Sequence, residues 1–290
     1  MNKTYLLLDC NFLCHRAKHA TKNLSFEGKA TGAIYGLLKY LSVLPEIFYT
    51  QNFVFCWDSK TSARKKIYPK YKANREDRYE QLSDEEKEFE DEFRNQMKML
   101  RKVYLKQIGF RNIFCQKGRE ADDLIASVCF HSIKRKDKVI IITADKDMYQ
   151  LLDTNISLYN PITNKMMTAG RFEKTYKIKS HGWTLVKALA GCPTDNIEGI
   201  KGVGEKTAIK YLKNQLNYNS KIYDTITRSA NTKKYLFNFN LVELPFRETK
   251  VFKIKKDKLS VDGWKQVMKS LGMKSLKEKF PFRKKNDKSK

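Results

Sequence analysis

Three short apolar runs along the chain each lead into acidic residues. Runs that are apolar at nearly every position are typical of strands buried on both faces of a parallel sheet. Because the carboxyl ends of parallel strands meet at one edge of a sheet, we expect these acids to converge there. The runs and their acids are Tyr5–Leu8 with Asp9, Phe53–Trp57 with Asp58, and Val139–Thr143 with Asp145 and Asp147.

Helical spacing of apolar residues separates these runs and dominates the second half of the chain. Ile113–Cys115 predicts a short further strand, and Ile156–Tyr159 with Lys165–Thr168 predicts a hairpin. The whole pattern indicates an α/β fold with a mostly parallel central sheet and helices on both faces. Helices are predicted over Gly32–Phe48, Leu124–Ile133, Met148–Leu152, Trp183–Ala190, Lys206–Lys213, Ile222–Leu241 and Val261–Leu271.

The densest group of acids lies just before the helix that is predicted to begin at Leu124. Glu120, Asp122 and Asp123 fall within four residues, and Glu120 and Asp123 share one helix face. Acids in a first helical turn also cap free amides and complement the helix dipole, so this alternative stays open. Together with the strand-end acids, however, seven carboxylates at one edge would repel strongly unless cations held them. The sequence therefore predicts an oxygen-ligand site for divalent metal, with two ions.

The composition of the 290 residues indicates a polyanionic partner. There are 58 Lys and Arg residues against 32 Asp and Glu, which gives a formal net charge of +26. No run reaches the roughly 20 apolar residues of a membrane span, and none forms a signal-peptide core, so we expect a soluble cytoplasmic protein. The six cysteines and four histidines have no zinc-type spacing, which argues against a zinc site and against histidine-based catalysis.

Basic and aromatic residues are interleaved from Arg64 to Arg75, shortly after the second strand-end acid. Lysine and arginine neutralise phosphates, and tyrosine rings can stack on unpaired bases, although a solvated charged loop is the alternative. Ser83 followed by Glu86 is the signature of a capping box at the start of a long helix. Residues 59–95 are therefore predicted to form an insertion that rises over the acidic crevice.

A glycine-rich stretch separates two of the predicted helices in the second half of the chain. Gly199, Gly202 and Gly204 allow tight turns and the close approach of another backbone, and Lys201 and Lys206 add positive charge. The amides of the helix that follows are free to face a phosphate. This arrangement predicts a helix-hairpin-helix that grips a duplex by its backbone without reading its sequence. An ordinary helical hairpin is the alternative.

Taken together, these motifs resemble the 5′-nuclease family. Its members include flap endonucleases, the 5′-nuclease domain of bacterial DNA polymerase I, and stand-alone bacteriophage exonucleases and ribonuclease H. The resemblance implies a PIN-like nuclease domain over residues 1–178 with a helical arch at 59–95, and a helical DNA-binding region over 179–290 with a basic tail. The matching segments are Asp9, Trp57–Asp58, Tyr71–Arg75, Glu120–Asp123, Thr143–Asp147, the glycine hairpin and Asn240–Leu244.

The resemblance also implies roles for single residues. Two Mg²⁺ ions, which Mn²⁺ can replace, would be bound in the crevice, and K⁺ would be bound by the carbonyls of residues 199–204. The implied ligands are Asp9, Asp58, Glu120, Asp122 and Asp145 for the first divalent ion, and Asp123, Asp147 and Asp195 for the second, partly through water.

The implied contacts to nucleic acid fall on the arch, the first helix and the glycine hairpin. Lys72 and Arg75 would be the catalytic pair at the foot of the arch and would contact the scissile phosphate. Tyr71 would stack on a terminal base, and Arg16 and Lys206 would bind further phosphates.

One position departs from the family pattern Gly-Asp-x-x-Asp-Asn, because Cys192 replaces its first acid. A thiolate is a poor ligand for Mg²⁺, so we expect the second ion to bind more weakly. We expect activity to survive, since Asp195 remains. A catalytically impaired junction-binding protein of the same fold is the alternative that Cys192 leaves open, and a different acid-rich metal fold, such as a toxin-type ribonuclease, is another.

The resemblance implies a monomeric, structure-specific nuclease with 5′–3′ exonuclease and flap endonuclease activity on DNA. Its substrates would carry a 5′ flap, a nick or a 5′ end, and its products a 5′-phosphate and a 3′-hydroxyl. RNA–DNA hybrids, as in RNA primer removal during replication, stay open as substrates. If a bacteriophage encodes the chain, it would act in the host cytoplasm.

Overall fold

A six-stranded sheet lies at the centre of the computed structural model, which describes residues 2–21, 23–134, 136–277 and 280. Neighbouring strands are parallel except for the last pair, which forms the predicted antiparallel hairpin. The predicted mostly parallel sheet is therefore confirmed. Its strands, in spatial order, are β5 (Ile113–Phe114), β4 (Asn52–Cys56), β1 (Thr4–Asp9), β6 (Lys138–Ile142), β7 (Ile156–Asn160) and β8 (Lys165–Met167).

The register of the central strands brings the predicted acids to the same edge. Asp9, the last residue of β1, pairs with the last residue of β4, two residues before Asp58. Its neighbour Leu8 pairs with the last residue of β6, three residues before Asp145. The three acids therefore leave the sheet side by side, at the carboxyl ends of parallel strands.

Helices lie along both faces of the sheet, in the insertion after β4 and in the C-terminal half. They are α1 (Cys10–Ala20), α2 (Gly32–Phe48), α3 (Ala63–Ile67), α4 (Ala73–Glu80), α5 (Asp84–Met99), α6 (Leu105–Ile108), α7 (Ala121–Ser127), α8 (Ala169–Tyr176), α9 (Trp183–Ala190), α10 (Glu205–Leu212), α11 (Lys221–Thr227), α12 (Ser229–Val242), α13 (Val261–Ser270) and α14 (Lys274–Lys277). Short hairpins pair β2 (Ser25–Phe26) with β3 (Lys29–Ala30), and β9 (Gly191–Cys192) with β10 (Ile197–Glu198).

Alternate strand residues point to opposite faces and build two separate apolar clusters. Leu6 and Leu8 of β1 lie in a cluster with α1, α2 and α13, whereas Leu7 lies in a cluster with α7 and α9. Both faces of the sheet are thus covered, which explains why the strands read as continuous apolar runs instead of alternating ones.

The insertion between β4 and β5 is helical, as the sequence predicts. Ser83 Oγ accepts a hydrogen bond from the Glu86 amide at 3.2 Å, and the Ser83 amide donates to Glu86 Oε2 at 2.9 Å, which confirms the capping box. A single π-helical turn, Leu100–Tyr104, links α5 to α6. Gly109, with φ 108°, ends the helix, and a Cβ there would collide with the carbonyl of Lys258.

Two of the differences between the structure and the predicted elements concern helices in the second half of the chain. The single helix expected over Ile222–Leu241 is two helices, because Arg228 is extended with ψ 136°. Asn231 Nδ2 donates to the Thr225 carbonyl at 2.6 Å, so a side chain satisfies a carbonyl that the backbone of a continuous helix would use. Helix α8 was not predicted; Thr168 Oγ1 caps it.

The last helices return to the sheet instead of extending the glycine-hairpin region. Trp264, Val267 and Met268 of α13 are buried in the same cluster as β1 and α2. The boundary at residue 178 stays a prediction, and the predicted basic tail lies outside the described residues. In the part of the chain that the structure covers, no helix combines the length and apolar content needed to cross a bilayer.

Candidate metal centre and nucleic-acid interface

Asp9 lies at the centre of the acidic edge, between the ends of β4 and β6. Its Oδ1 accepts from the Phe12 amide at 3.0 Å, which caps α1, and its Oδ2 accepts from Thr143 Oγ1 at 3.0 Å. Burial, then the charges of Asp58 and Asp145, raise the pKa of Asp9 to about 7. The two hydrogen bonds lower the pKa of Asp9 but do not cancel this rise, so Asp9 carries a proton more readily than an ordinary aspartate.

Asp58 joins the end of β4 to the first turn of α7. Its Oδ1 accepts from the Ala121 amide at 2.7 Å, and its own amide donates to Asn11 Oδ1 at 3.0 Å. Burial and the charge of Glu120 raise the pKa of Asp58, partly offset by the charge of Lys72. The strand-end acids and the acids of α7 are therefore parts of one electrostatic cluster.

Glu120 and Asp122, which are separated by Ala121, lie in opposite electrostatic environments. Glu120 Oε2 accepts from Lys72 Nζ at 2.7 Å and from the Tyr71 hydroxyl at 2.8 Å. Despite burial, the charges of Lys72 and Arg64 lower the pKa of Glu120. Burial and the charges of Asp123 and Glu120 raise the pKa of Asp122 well above its usual value. Of the two, Asp122 is the carboxylate that lacks a compensating cation in direct contact.

Asp145 and Asp147 follow β6 and open a short 3₁₀ helix, Lys146–Leu151. Asp145 Oδ1 accepts from the Asp147 amide at 2.8 Å. Desolvation of the carboxylate in the crevice and the charge of Asp147 raise the pKa of Asp145 to about 6, although the residue as a whole is exposed. Asp147 points instead toward Lys187 of α9, whose Nζ lies 3.0 Å from Asp147 Oδ1.

The second corner of the site combines two aspartates with the cysteine that departs from the family pattern. Candidate ligand atoms of Asp147, Cys192 and Asp195 all lie within 4.8 Å of one another, and in the described part of the chain no other set of three meets that distance. Cys192 thus occupies the place expected for an acid. Burial, Asp147 and Asp195 raise the pKa of the Cys192 thiol to about 11, so the thiol is neutral at ordinary pH. The carboxylates implied for the first ion lie farther from one another than these three ligand atoms do.

Asp123 does not fit the metal-binding role that the sequence predicted. Both of its oxygens accept from the Arg64 guanidinium at 2.7 Å, and the residue is fully buried. The Phe246 amide donates to Oδ1 at 2.9 Å, and the Glu120 amide donates to Oδ2 at 3.0 Å. With four donors around it, the carboxylate has its charge and its lone pairs satisfied within the protein, so we leave it out of the ligand set.

Tyr71 is also placed differently from its expected stacking role. Only 2% of the residue is exposed, and its ring is packed in a third apolar cluster with Ala188, Ile197 and Leu241. Its hydroxyl donates to Glu120 and lies 3.3 Å from Asp195 Oδ2. Since the ring face is covered by protein, it is not available to a terminal base, and the residue instead holds two acids.

The remaining predicted basic residues face the crevice or the surface. Lys72 Nζ contacts Glu120 and lies 3.7 Å from Asp195 Oδ1; Arg75 Nη2 lies 3.1 Å from the same oxygen. Arg16 lies over the Tyr40 ring on the surface of α1 and donates to its hydroxyl. Lys72 and Arg75 are therefore beside the acids, as predicted, while Arg16 belongs to a separate exposed pair.

The glycine hairpin joins the end of α9 to the start of α10. At two of its positions the protein's own packing or backbone conformation requires a glycine. A Cβ on Gly199 would lie 2.2 Å from the Ala190 carbonyl, and Gly202 has φ 82°. Gly204 differs, because its φ of −94° suits any residue and a Cβ there would meet nothing within 4 Å. Lys201 and Lys206 are exposed beside it. The hairpin thus offers an uncovered backbone next to positive charge at the start of α10.

The donor set at the acidic edge fits a hard divalent cation. Its candidate atoms are carboxylate oxygens, which Mg²⁺ and Mn²⁺ prefer. Asp9, Asp58, Asp122 and Asp145 all have raised pKa values, with neighbouring carboxylates among the causes in each case. A bound cation would remove that mutual repulsion, so the electrostatics of the site favour metal binding.

The family described as 5′-3′ exonuclease, N-terminal resolvase-like domain matches residues 4–177, more than half of the chain. The chain belongs to the 5′-3′ exonuclease family. Members of the 5′-3′ exonuclease family are hydrolases that act on phosphodiester bonds, and the acidic edge described above lies within the matched residues apart from Asp195 and Cys192.

Two curated relatives agree with this assignment. The 5′-3′ exonuclease of Buchnera aphidicola is 30% identical over 230 residues, which are 78% of this chain and 76% of that protein. DNA polymerase I of Thermus thermophilus is 33% identical over 210 residues, which are 72% of this chain but 24% of the polymerase. The chain therefore spans about a quarter of the polymerase, and the similarity does not extend to the rest of that protein.

Solved structures share the fold. A bacteriophage T5 flap endonuclease has a TM-score of 0.71 at 22% identity, covering 95% of this chain and 97% of that one. The catalytic core of Rad2 has a TM-score of 0.55 at 15% identity, covering 94% and 89%. These likenesses confirm the arrangement of sheet and helices.

Several residues that shape the exonuclease-family site were not predicted as site residues. Arg64 lies in the basic run that begins the insertion, but a lysine-rich run gives no sign of which cation is buried. Lys187 carried a clearer signal, because it is the single charge within the apolar helix Trp183–Ala190. Asn11 gave none, since a lone asparagine is more often a turn residue, and Asn196 belongs to the family pattern, which does not show what its side chain binds.

Proposed function

We propose that this chain is a metal-dependent 5′ nuclease that cuts one strand of DNA close to a 5′ end or a single-strand junction. The observation that carries the proposal is the placement of Asp9, Asp58, Asp122 and Asp145 at one edge of the sheet, where neighbouring carboxylates help to raise all four pKa values. Carboxylates that destabilise one another in this way are suited to hold divalent ions at the point of reaction. Two Mg²⁺ ions, replaceable by Mn²⁺, are the proposed occupants.

Bound divalent ions would polarise the scissile phosphate, activate water and stabilise the leaving oxygen. Lys72 and Arg75 lie beside the acids and would offset the negative charge that grows on the phosphate oxygens. Their present partners Glu120 and Asp195 keep both side chains in the crevice. The proposed products are a 5′-phosphate and a 3′-hydroxyl.

The proposed nucleic-acid surface runs from the arch segment to the glycine hairpin. The open backbone at Gly204, flanked by Lys201 and Lys206, is suited to a duplex phosphate, with K⁺ proposed on the hairpin carbonyls. The T5 flap endonuclease structure holds DNA and metal ions, and the Rad2 core holds a DNA substrate. DNA with a 5′ flap, nick or end is the proposed substrate, and an RNA–DNA hybrid is a second one to test.

The alternative of a catalytically impaired junction-binding protein is not favoured. The acids of the first ion are all present, and Asp195 remains beside Cys192 at the second corner. We therefore expect turnover in spite of the substitution.

A cleavage assay on a 5′-labelled flap tests the proposal. The wild-type chain should cut in Mg²⁺, be inactive in EDTA and give products of defined size with 5′-phosphate ends. Asp145→Asn should cut about 100-fold or more slowly while still binding the flap. Asp153→Asn, an exposed aspartate at the opposite end of the same 3₁₀ segment, is the matched control and should cut normally. Normal cleavage by Asp145→Asn would refute the assignment of the site.

A further inference from the structure

The foot of the arch is bonded directly to the loop that precedes the glycine hairpin. Asn196 Nδ2 donates to the Lys70 carbonyl at 2.9 Å, and the Lys72 amide donates to the Asp195 carbonyl at 2.9 Å. Two consecutive residues of the loop therefore hold the backbone on either side of Tyr71. The contact joins segments more than 120 residues apart in the sequence.

The backbone of Lys72 needs such support. Lys72 has φ 54° and ψ 21°, in the left-handed region that a lysine rarely adopts. Unfavourable backbone conformations persist where surrounding structure fixes them, and they concentrate at functional sites. The Lys72 side chain leaves this backbone to reach Glu120 Oε2 at 2.7 Å, so the placement of its ammonium depends on the unusual conformation.

The loop that holds Lys72 is itself closely constrained. Asn196 is left-handed too, with φ 57° and ψ 34°, but asparagine tolerates that conformation well. Its backbone N–H donates to the Pro193 carbonyl at 3.1 Å, and Ile197 pairs with Cys192 across the β9–β10 ladder. At the base of the loop, a Cβ on Gly191 would lie 2.3 Å from the Gly199 amide. The loop can therefore act as a fixed support.

We propose that Asn196 is a positioning residue for Lys72, which it serves through the Lys70 carbonyl without touching substrate. The inference rests on the proposed function, since it assigns Lys72 to the reaction. Because the same loop runs into the glycine hairpin at Gly199, it also sets the distance between the duplex contact and the basic pair at the arch foot.

Single-turnover cleavage of the 5′ flap by Asn196 variants tests the proposal. Asn196→Gly keeps the left-handed backbone but removes the side-chain donor, and Asn196→Asp keeps the size and backbone preference but removes the donor. Each should lower the rate at saturating substrate by about tenfold, or ~1.4 kcal/mol, with the apparent Kd for the flap unchanged. Asn214→Gly is the matched control, because Asn214 also has φ 54° but follows α10; it should cut normally.

A double-mutant cycle separates positioning from a general loss of structure. If Asn196 acts through Lys72, Asn196→Gly should cause no further loss in a Lys72→Ala background. An undiminished loss in that background, or a normal rate in both Asn196 variants, would overturn the proposal. Thermal unfolding of each variant shows whether it folds.

Hydrogen exchange supplies a readout that does not depend on cleavage. The amides of residues 70–75 should exchange about tenfold faster in Asn196→Gly than in Asn214→Gly. Unchanged exchange would contradict the inference even if the chain has no nuclease activity. Faster exchange in a chain without nuclease activity would refute the proposed function, but it would still support the contact by which Asn196 holds the backbone near Lys72.

Discussion

Arg64 and Asp123 form a bidentate ion pair beside Glu120, with both N–O distances at 2.7 Å and both side chains buried. Arg64 Nε also donates to the Leu241 carbonyl at 2.7 Å, and Asp123 accepts the Phe246 amide. The pair thus ties the arch segment and the end of α12 to the first turn of α7. This gives a structural reason for the segment Asn240–Leu244, which matched the family without an evident chemical role.

The ion pair predicts that Asp123 supports stability and not metal affinity. Asp123→Asn leaves the Arg64 charge buried without its counter-charge, so the free energy of unfolding should fall by about 3–5 kcal/mol. Urea unfolding in EDTA measures this change. Asp91→Asn, which breaks the exposed pair with Arg94, should cost at most about 1 kcal/mol and is the control. A stable Asp123→Asn variant with weakened Mg²⁺ binding would restore Asp123 to the ligand set.

Apolar runs made the sheet predictable, and the acids after them made its functional edge predictable. Asp9, Asp58 and Asp145 each follow a run that is buried on both faces, and the register of the parallel strands places the three acids side by side. The partners of buried polar groups were not predictable in the same way. Asp122 and Asp123 are adjacent and identical in type, yet Arg64, which lies 59 residues away from Asp123 in sequence, satisfies only Asp123.

Local chemistry also decided features that periodicity could not. The apolar spacing of Ile222–Leu241 suggested one helix, but the backbone is extended at Arg228, and Asn231 Nδ2 satisfies the Thr225 carbonyl that the break leaves free. Tyr71 looked like an exposed stacking residue because its neighbours are basic. Its ring is buried because the loop of Ile197 and the end of α12 pack over it, a tertiary contact with no trace in the local sequence.

The raised pKa values predict opposite pH trends for the metal-free and metal-bound protein. The pKa of Asp9, at about 7, and that of Asp145, at about 6, lie above their unfolded values. The metal-free fold therefore binds protons more tightly than the unfolded chain and should lose stability as pH rises from about 4 to 7. Metal binding needs the ionised forms, so Mg²⁺ affinity should rise over pH 6 to 8 with release of protons.

Calorimetric titration in two buffers of different ionisation enthalpy counts the released protons, and thermal unfolding in EDTA follows the stability. Asp9→Asn should flatten both trends. A Mg²⁺ affinity that does not change between pH 6 and pH 8 would contradict the mutual repulsion on which the metal assignment depends.

We predict that Gly204 contributes to the affinity for duplex DNA and not to the stability of the fold. Because its φ is ordinary and its Cβ position is open, Gly204→Ala should leave the free energy of unfolding unchanged or slightly higher. A methyl group there would hold a phosphate backbone away, so duplex affinity should fall by about tenfold. Fluorescence anisotropy with a labelled duplex measures it. Gly170→Ala, at an equally open position on α8, is the control and should bind normally; equal binding by both variants would remove the hairpin from the interface.

Cys192→Asp should strengthen the second metal site. The change adds a hard oxygen ligand beside Asp147 and Asp195 in place of a neutral thiol, so affinity for the weaker ion should rise by about tenfold. Titration with Mn²⁺ followed by electron paramagnetic resonance measures both sites. Cys192→Ser has a similar size without the charge and should show no gain. If Cys192→Asp binds the second ion no better, the predicted second site is wrong, and the positive charge of Lys187 beside Asp147 takes the place of that ion.

Diffraction from crystals soaked in Mn²⁺ tests the metal centre most directly. We predict an anomalous difference peak enclosed by the carboxylate oxygens of Asp9, Asp58, Asp122 and Asp145, with Mn–O distances of about 2.1 Å. Saturating Mn²⁺ that leaves those carboxylates apart, with no peak between them, would contradict it.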